Sequence, residues 1–312
     1  MTSRSPLLDL PAAVEGDGPD SGVAAHYGDP FREQKLMLAG EGFVDLSHRG
    51  VVRISGPDRL AWLHSLTTQH LVALQPNNPV TTLVLSPHGH VEHAMSGYDD
   101  GEALWFHVEP HAATPLVAWL QSMQFMMQVE VADVSSEWAV VARSESGTEF
   151  VRRSDVADLP TVTGARPCGT WAFEALRIAR GEPRFGLDTD HKTIPNEVGW
   201  IGSAVHLDKG CYRGQETVAR VHTLGRPPRR LALLHLDGSV DHLPRTDETV
   251  EYDGRVVGRV GSAARHFELG PIALAMVKRN VDPAVVLLAG GVPASQQVLV
   301  DPDVGLHVRP RL

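Results

Sequence analysis

Cysteine is scarce in this chain. Cys168 and Cys211 are the only two in 312 residues, and neither sits in a CxxC or a paired Cys/His spacing. That argues against a disulfide scaffold and against a structural zinc site. Long apolar runs are missing as well: the longest, such as Pro271 to Val277, fall far short of the roughly 20 residues that a spanning helix needs. Basic residues are outnumbered, 28 against 38 acidic, giving a net charge of −10 that disfavours direct binding to nucleic acid or an anionic membrane. Asp9, Pro11 and Glu15 interrupt what would have to be the apolar core of a secretory signal, so a cytoplasmic location is expected. No GxSxG elbow, GxxxxGKS/T loop or GxGxxG turn occurs, which leaves a Ser/His/Asp triad and a glycine-rich phosphate loop without support.

What is present concentrates in one stretch, residues 206–220, HLDKGCYRGQETVAR. Cys211 follows Gly210, lies between Lys209 and Arg213, and precedes a predicted helix from Gln215 to Val221. Nearby cations and a helix N-terminus favour a thiolate, the form that attacks electrophiles or exchanges disulfides. Gly210 and Gly214 flank the segment and point to backbone that turns tightly or is closely approached. From Lys209 to Arg230 there are six cations (Lys209, Arg213, Arg220, Arg226, Arg229, Arg230) against the single acid Glu216, and this local excess predicts a site for a small anionic ligand. His88, His90 and His93 form an HxHxxH cluster, but strand alternation would send His93 away from the other two, so exposed imidazoles at a turn are expected rather than a metal site.

Along the chain, residues 1–28 are rich in Pro, Gly, Asp and Ser and read as a disordered leader. A strand is predicted over Gly50–Gly56, then a helix carrying Leu60, Leu63 and Leu66, then an antiparallel meander of Val80–Ser86, Val91–Tyr98 and Ala103–Val108. A helix over His111–Met123, strands at Gln128–Val134 and Trp138–Arg143, and a helix at Thr170–Arg180 follow. Helices and strands mix without strict alternation, which indicates α+β rather than a doubly wound sheet. After Pro227-Pro228 come six short strands (230–236, 249–252, 255–260, 272–277, 285–288 and 298–300), read as a small β-barrel or sandwich.

Lys209 to Glu216 matches the K-G-C-F/Y-x-G-Q-E signature of the YgfZ family, folate-binding relatives of the glycine-cleavage aminomethyltransferase, or T-protein. The resemblance extends over Glu41–Gly50, Val52–Leu71, Arg180–Gly186, Ile194–Glu197, Gly258–Ser262 and Leu269–Val277. It implies a three-lobed, ring-like fold with two interleaved α+β lobes over residues 29–226 and a C-terminal β-barrel over 227–312. It further implies a site for tetrahydrofolate or a one-carbon derivative, with Glu197 gripping the pterin and Arg229 and Arg230 facing the anionic glutamyl tail. T-proteins carry an Asp-Asp pair where this chain reads Glu92-His93 or His93-Ala94, so the resemblance does not bring their transfer acid with it.

The function this implies is support of iron–sulfur cluster assembly or repair, and through it of enzymes such as radical-based tRNA modifiers. Cys211 would be the reactive thiol, Lys209 its activator and Arg213 an assistant, while Tyr212, Gln215 and Glu216 shape the loop. One thiol cannot hold a cluster that needs about four, so iron–sulfur client or assembly proteins are the expected partners. The alternatives are a folate-dependent aminomethyltransferase or demethylase and a passive folate-binding scaffold with a structural Cys211.

Overall fold

The computed structural model describes residues 4–143 and 147–306. The first sheet has five strands in the order Val80–Leu85, Val91–Asp99, Ala103–Val108, Gly50–Ser55 and Glu130–Asp133. Ala103–Val108 is buried at every position, as a strand covered on both faces must be. A second sheet orders Thr148–Arg152, Trp138–Ala142, Gly42–Asp45 and Arg166–Cys168, the last pair parallel. Helix Pro30–Leu38, absent from the sequence reading, is capped at its start: Asp29 accepts the Arg32 N–H at 3.0 Å and Pro30 fills the first turn. The helices predicted in the first half appear as Arg59–Leu66, Ala113–Ser122 and Thr170–Ala179. Among the described residues no helix is long and apolar enough to cross a membrane.

By contacts the chain divides into two compact units, one of Met1–His64, Leu71–Thr81 and Met95–Leu176, the other of Ser65–His70, Thr82–Ala94 and Arg177–Leu312. In the first unit the expected disordered leader is instead built in from its described beginning. Pro6–Asp9 is a 3-10 turn capped by Ser5, Val14–Glu15 pairs with Ala24–His26, and Leu7 lies in a core cluster with Phe43, Val141, Val156 and Leu159. Composition hid this because two short apolar anchors, Leu7-Leu8 and Val23-Ala24-Ala25, are buried inside an otherwise polar, turn-rich stretch.

The second unit contains a closed six-stranded barrel, ordered Arg229–Leu236, Gly270–Lys278, Arg255–His266, Thr249–Tyr252, Leu287–Ala289 and Val292–Val298. Its interior alternates along each strand: Ala232, Leu234 and Leu236 face Ala273, Ala275, Val277 and Val292 in one cluster. The last strand lies earlier than the predicted 298–300. Gly290 and Gly291, with φ of +54° and +83°, turn the chain there, and Pro293 disguises the strand that follows.

In Arg255–His266 the register slips between Val260 and Ala263, and the bulge turns Ser262 out of the ladder. The Ser262 N–H and hydroxyl both donate to Asp188 Oδ1 at 2.8 Å. Asp188, 1% exposed, also accepts from Arg177 Nη1 at 3.0 Å and the Arg184 N–H at 2.8 Å. This fully paired charge fixes the irregular segment 184–190 to the barrel, the only kind of arrangement in which a carboxylate survives burial. Gly261 leaves the carboxylate its room, since a Cβ there would lie 2.1 Å from Asp188 Oδ1 and 3.0 Å from its Cα. Gly261→Ala is expected to cost about 3 kcal/mol of unfolding free energy in urea denaturation; a change below about 0.5 kcal/mol would remove this joint from the account.

Candidate functional site

Glu197 ends the short 3-10 turn Pro195–Glu197 and is 1% exposed. Its carboxylate reaches back to accept the Ile194 N–H at 3.2 Å. The remaining bonds come from Arg229, the first residue of the barrel: Nε donates to Oε1 at 2.9 Å and Nη2 to Oε2 at 2.8 Å. The same guanidinium also holds Asp190, through Nη1 at 2.5 Å and Nη2 at 3.2 Å. Burial alone would raise the Asp190 pKa, but the Arg229 hydrogen bonds, the Lys192 N–H, the Arg229 charge and the Thr193 hydroxyl overcome it and hold the carboxyl well below the usual range. Burial likewise works against the Arg229 charge, and the two carboxylates reverse the effect and raise its pKa.

Arg230 goes elsewhere. Alternation along the strand turns it to the opposite face, where it is wholly buried beside the barrel core. Its Nη2 donates to Gln296 Oε1 at 2.7 Å and to the Val281 carbonyl at 3.2 Å, and burial lowers its pKa. Only Arg229 of the two joins Glu197.

The Cys211 loop is built against the hairpin Ser86–His90. Gly214, with φ of +81°, is the residue that opens helix Gln215–Leu224, and a Cβ on it would strike Ser86 O at 2.5 Å and Gly89 Cα at 2.9 Å. Gly89 in turn leaves no room for a Cβ against Thr217. Arg213 forks onto Glu92 at 3.0 and 3.4 Å, a pair more than one third exposed and therefore weak. Cys211, Gly210 and Glu216 are exposed, Gln215 is half-buried, and Tyr212 is buried, with its phenol pushed up to about 12 by that burial. Cys168, by contrast, is a core thiol, 1% exposed and pushed up to about 12 by burial first and the Glu33 charge second.

Lys209 is an anchor. Its ammonium donates to the carbonyls of Thr67 and of Gln69, the latter at 3.3 Å, and lies 5.2 Å from the centre of the Tyr212 ring. The six cations from Lys209 to Arg230 therefore do not form one anionic-ligand patch: Lys209 binds carbonyls, Arg213 binds Glu92, Arg220 is exposed, Arg226 approaches Asp303 at 3.9 Å, Arg229 bridges two acids, and Arg230 enters the barrel.

A cleft of about 620 Å³ lies between residues 86–92 and residues 185–191. Its carboxylates, Glu92 and Asp190, are the two already paired with Arg213 and Arg229. The His88 and His90 rings stand 6.2 Å apart on its hairpin wall. His93 is half-buried, and that burial lowers its pKa, with Glu92 opposing, so the imidazole is neutral at pH 7. Asp190 is the residue that sequence reasoning missed. The available signal was the Asp188-Thr189-Asp190 pair of acids just ahead of Pro195-Asn196-Glu197, in a region otherwise read only as irregular.

With this geometry in place, the comparisons define the class. No protein-family model matches the chain. It is 25% identical to the aminomethyltransferase of Bacillus subtilis, across 89% of this chain and 91% of that one. It is 26% identical to the Nostoc enzyme of the same name, across 88% of each, and 24% identical to a chloroplastic protein of Arabidopsis thaliana described as a transferase, across 85% of this chain and 73% of that one. The crystal structure of glycine cleavage system aminomethyltransferase T from Bartonella henselae superposes with a TM-score of 0.78, covering 95% and 96% of the two chains at 15% identity. The protein is thus a mixed α/β protein with the aminomethyltransferase fold. By sequence it is a distant relative of the aminomethyltransferases.

Burial pushes Lys209 down to about 8. Between that value and the roughly 10.4 of an unfolded lysine, the folded protein has released a proton that the unfolded chain still holds, so stability rises with pH across this window. Relative to Lys209→Met, the wild-type unfolding free energy is expected to gain about 2 kcal/mol from pH 8 to pH 10. A difference that stays flat with pH would show that the ammonium is not desolvated.

Proposed function

We propose that this protein binds tetrahydrofolate, or a one-carbon derivative of it, at the Glu197–Arg229 site and acts there as a folate-dependent transferase of aminomethyltransferase descent. The observation that carries the proposal is Glu197: a carboxyl group almost fully removed from water and paired with Arg229, in a chain with the aminomethyltransferase fold. A carboxylate accepts about four hydrogen bonds, and protein donors supply three of them here, from Arg229 Nε, Arg229 Nη2 and the Ile194 N–H. The remaining acceptor position suits an N–H on the amino-amidine edge of a pterin. When bound, the folate supplies the carrier for the one-carbon unit.

The chain's own residues bind and orient. Glu197 accepts, Arg229 donates to both of its oxygens, and the paired glycines Gly89 and Gly214 hold the Cys211 loop against the cleft hairpin. Where the resemblance sets the T-protein's acids, at Glu92-His93 or His93-Ala94, Glu92 is in a weak, exposed pair with Arg213 and burial lowers the pKa of His93. A transfer reaction here would therefore use general acid/base groups different from the T-protein's.

A second reading, the YgfZ-type support of iron–sulfur proteins, is favoured by one observation: the loop that buries Lys209 and Tyr212 leaves the Cys211 thiol outside. A partner protein would supply the remaining cluster ligands. The two readings share the folate and separate on the thiol. Cys211→Ala in cells, at matched protein level, lowers iron–sulfur enzyme activity under the second reading and leaves it unchanged under the first.

The shared claim is tested by equilibrium dialysis of tetrahydrofolate under reducing conditions. Wild type is expected to bind one equivalent saturably, and Glu197→Gln to bind at least about tenfold more weakly, a loss of about 1.4 kcal/mol. Absence of saturable binding to folded wild type would overturn the folate reading.

A further inference from the structure

We propose that Arg229 is a movable cap on Glu197, and that Asp190 is the positioning residue that takes over the guanidinium when a ligand displaces it. The inference rests on the folate reading and adds how the site opens. As it stands, Glu197 has one acceptor position to offer, whereas a planar amino-amidine edge presents two parallel N–H donors. The second position is held by Arg229, so two-point recognition requires the guanidinium to withdraw.

The surroundings allow that withdrawal in one direction. Both acids are fixed: Glu197 by its 1% exposure and the Ile194 N–H, Asp190 by the Lys192 N–H at 2.9 Å and the Thr193 hydroxyl at 3.0 Å. The arginine side chain is about one quarter exposed and already touches Asp190 with two nitrogens. Moving wholly onto Asp190 gives up the two bonds to Glu197 and keeps a complete ion pair. The ligand's N–H donors then replace what Glu197 lost, so no charge is left buried without a partner at either end of the motion. Asp190 does not depend on Arg229 alone in the capped state either, because Arg259 Nε stands 3.9 Å from its Oδ2. Without the Asp190 charge, the guanidinium would have Glu197 as its only carboxylate of the two and would cap it more tightly.

The test measures tetrahydrofolate affinity on wild type, Asp190→Asn, Arg229→Gln and the double variant, with thermal unfolding of each alongside. Asp190→Asn is expected to weaken binding about tenfold where Arg229 is present and to change it less than threefold where Arg229 is already Gln. Equal weakening in both backgrounds would mean that Asp190 acts only structurally and would overturn the cap, as would unchanged or tighter binding by Asp190→Asn. Failure of wild type to bind would remove the folate reading and this inference with it. NMR of the Arg229 Nε–H in wild type gives a readout that needs no variant to fold. Saturation with tetrahydrofolate is expected to shift this signal strongly and speed its exchange with water as the bond to Glu197 is lost. A signal unchanged at saturation would also overturn the cap.

Discussion

A carboxyl group taken out of water needs hydrogen-bond donors for its oxygens, and for Glu197 the chief donor is Arg229. Much of the second unit can be seen as meeting this demand. The barrel begins at Arg229, so the guanidinium starts from a strand whose position is set by a closed ladder rather than from a loop. The 3-10 turn Pro195–Glu197 brings the acid to it, and the segment ahead of that turn is tied down by Asp188 and the bulge at Ser262. Removing any one of these supports would leave an ion pair with good partners but poor aim.

The Cys211 loop obeys a different constraint, that of close backbone approach. Gly214 and Gly89 meet where no side chain fits, and Lys209 closes the loop on two carbonyls. The motif is therefore in large part a structural device that leaves one thiol exposed. Its cations do not gather around one anionic ligand, because Lys209, Arg213, Arg229 and Arg230 are each bound to different groups of the protein. This shifts the electrostatic weight of the proposed site from the basic run as a whole to Arg229.

Several features were legible in the sequence because they depend on local rules. Strand and helix periodicity located the meander and the helices at Arg59–Leu66, Ala113–Ser122 and Thr170–Ala179. The separation of Arg229 from Arg230 was also within reach, since adjacent residues on a strand face opposite ways. Other features depend on contacts distant in sequence and leave little local trace. Leu7 is core only because Phe43 and Val141 are folded against it. Asp190 matters only because the chain returns to it 39 positions later at Arg229. Lys209 appears in sequence as a neighbour of Cys211, yet its ammonium is bound 142 positions away, at Thr67.

The relation to the aminomethyltransferases is one of fold and distant sequence likeness. What the account requires above all is that Glu197 and Arg229 are energetically one unit. A double-mutant cycle on unfolding free energy, using Glu197→Gln, Arg229→Gln and the pair together, measures this directly. Arg229→Gln should cost about 3 kcal/mol or more and Glu197→Gln less, since Arg229 keeps Asp190, with a coupling of about 2 kcal/mol because Glu197→Gln relieves the buried charge that Arg229→Gln strands. Additivity within about 0.5 kcal/mol would contradict the account.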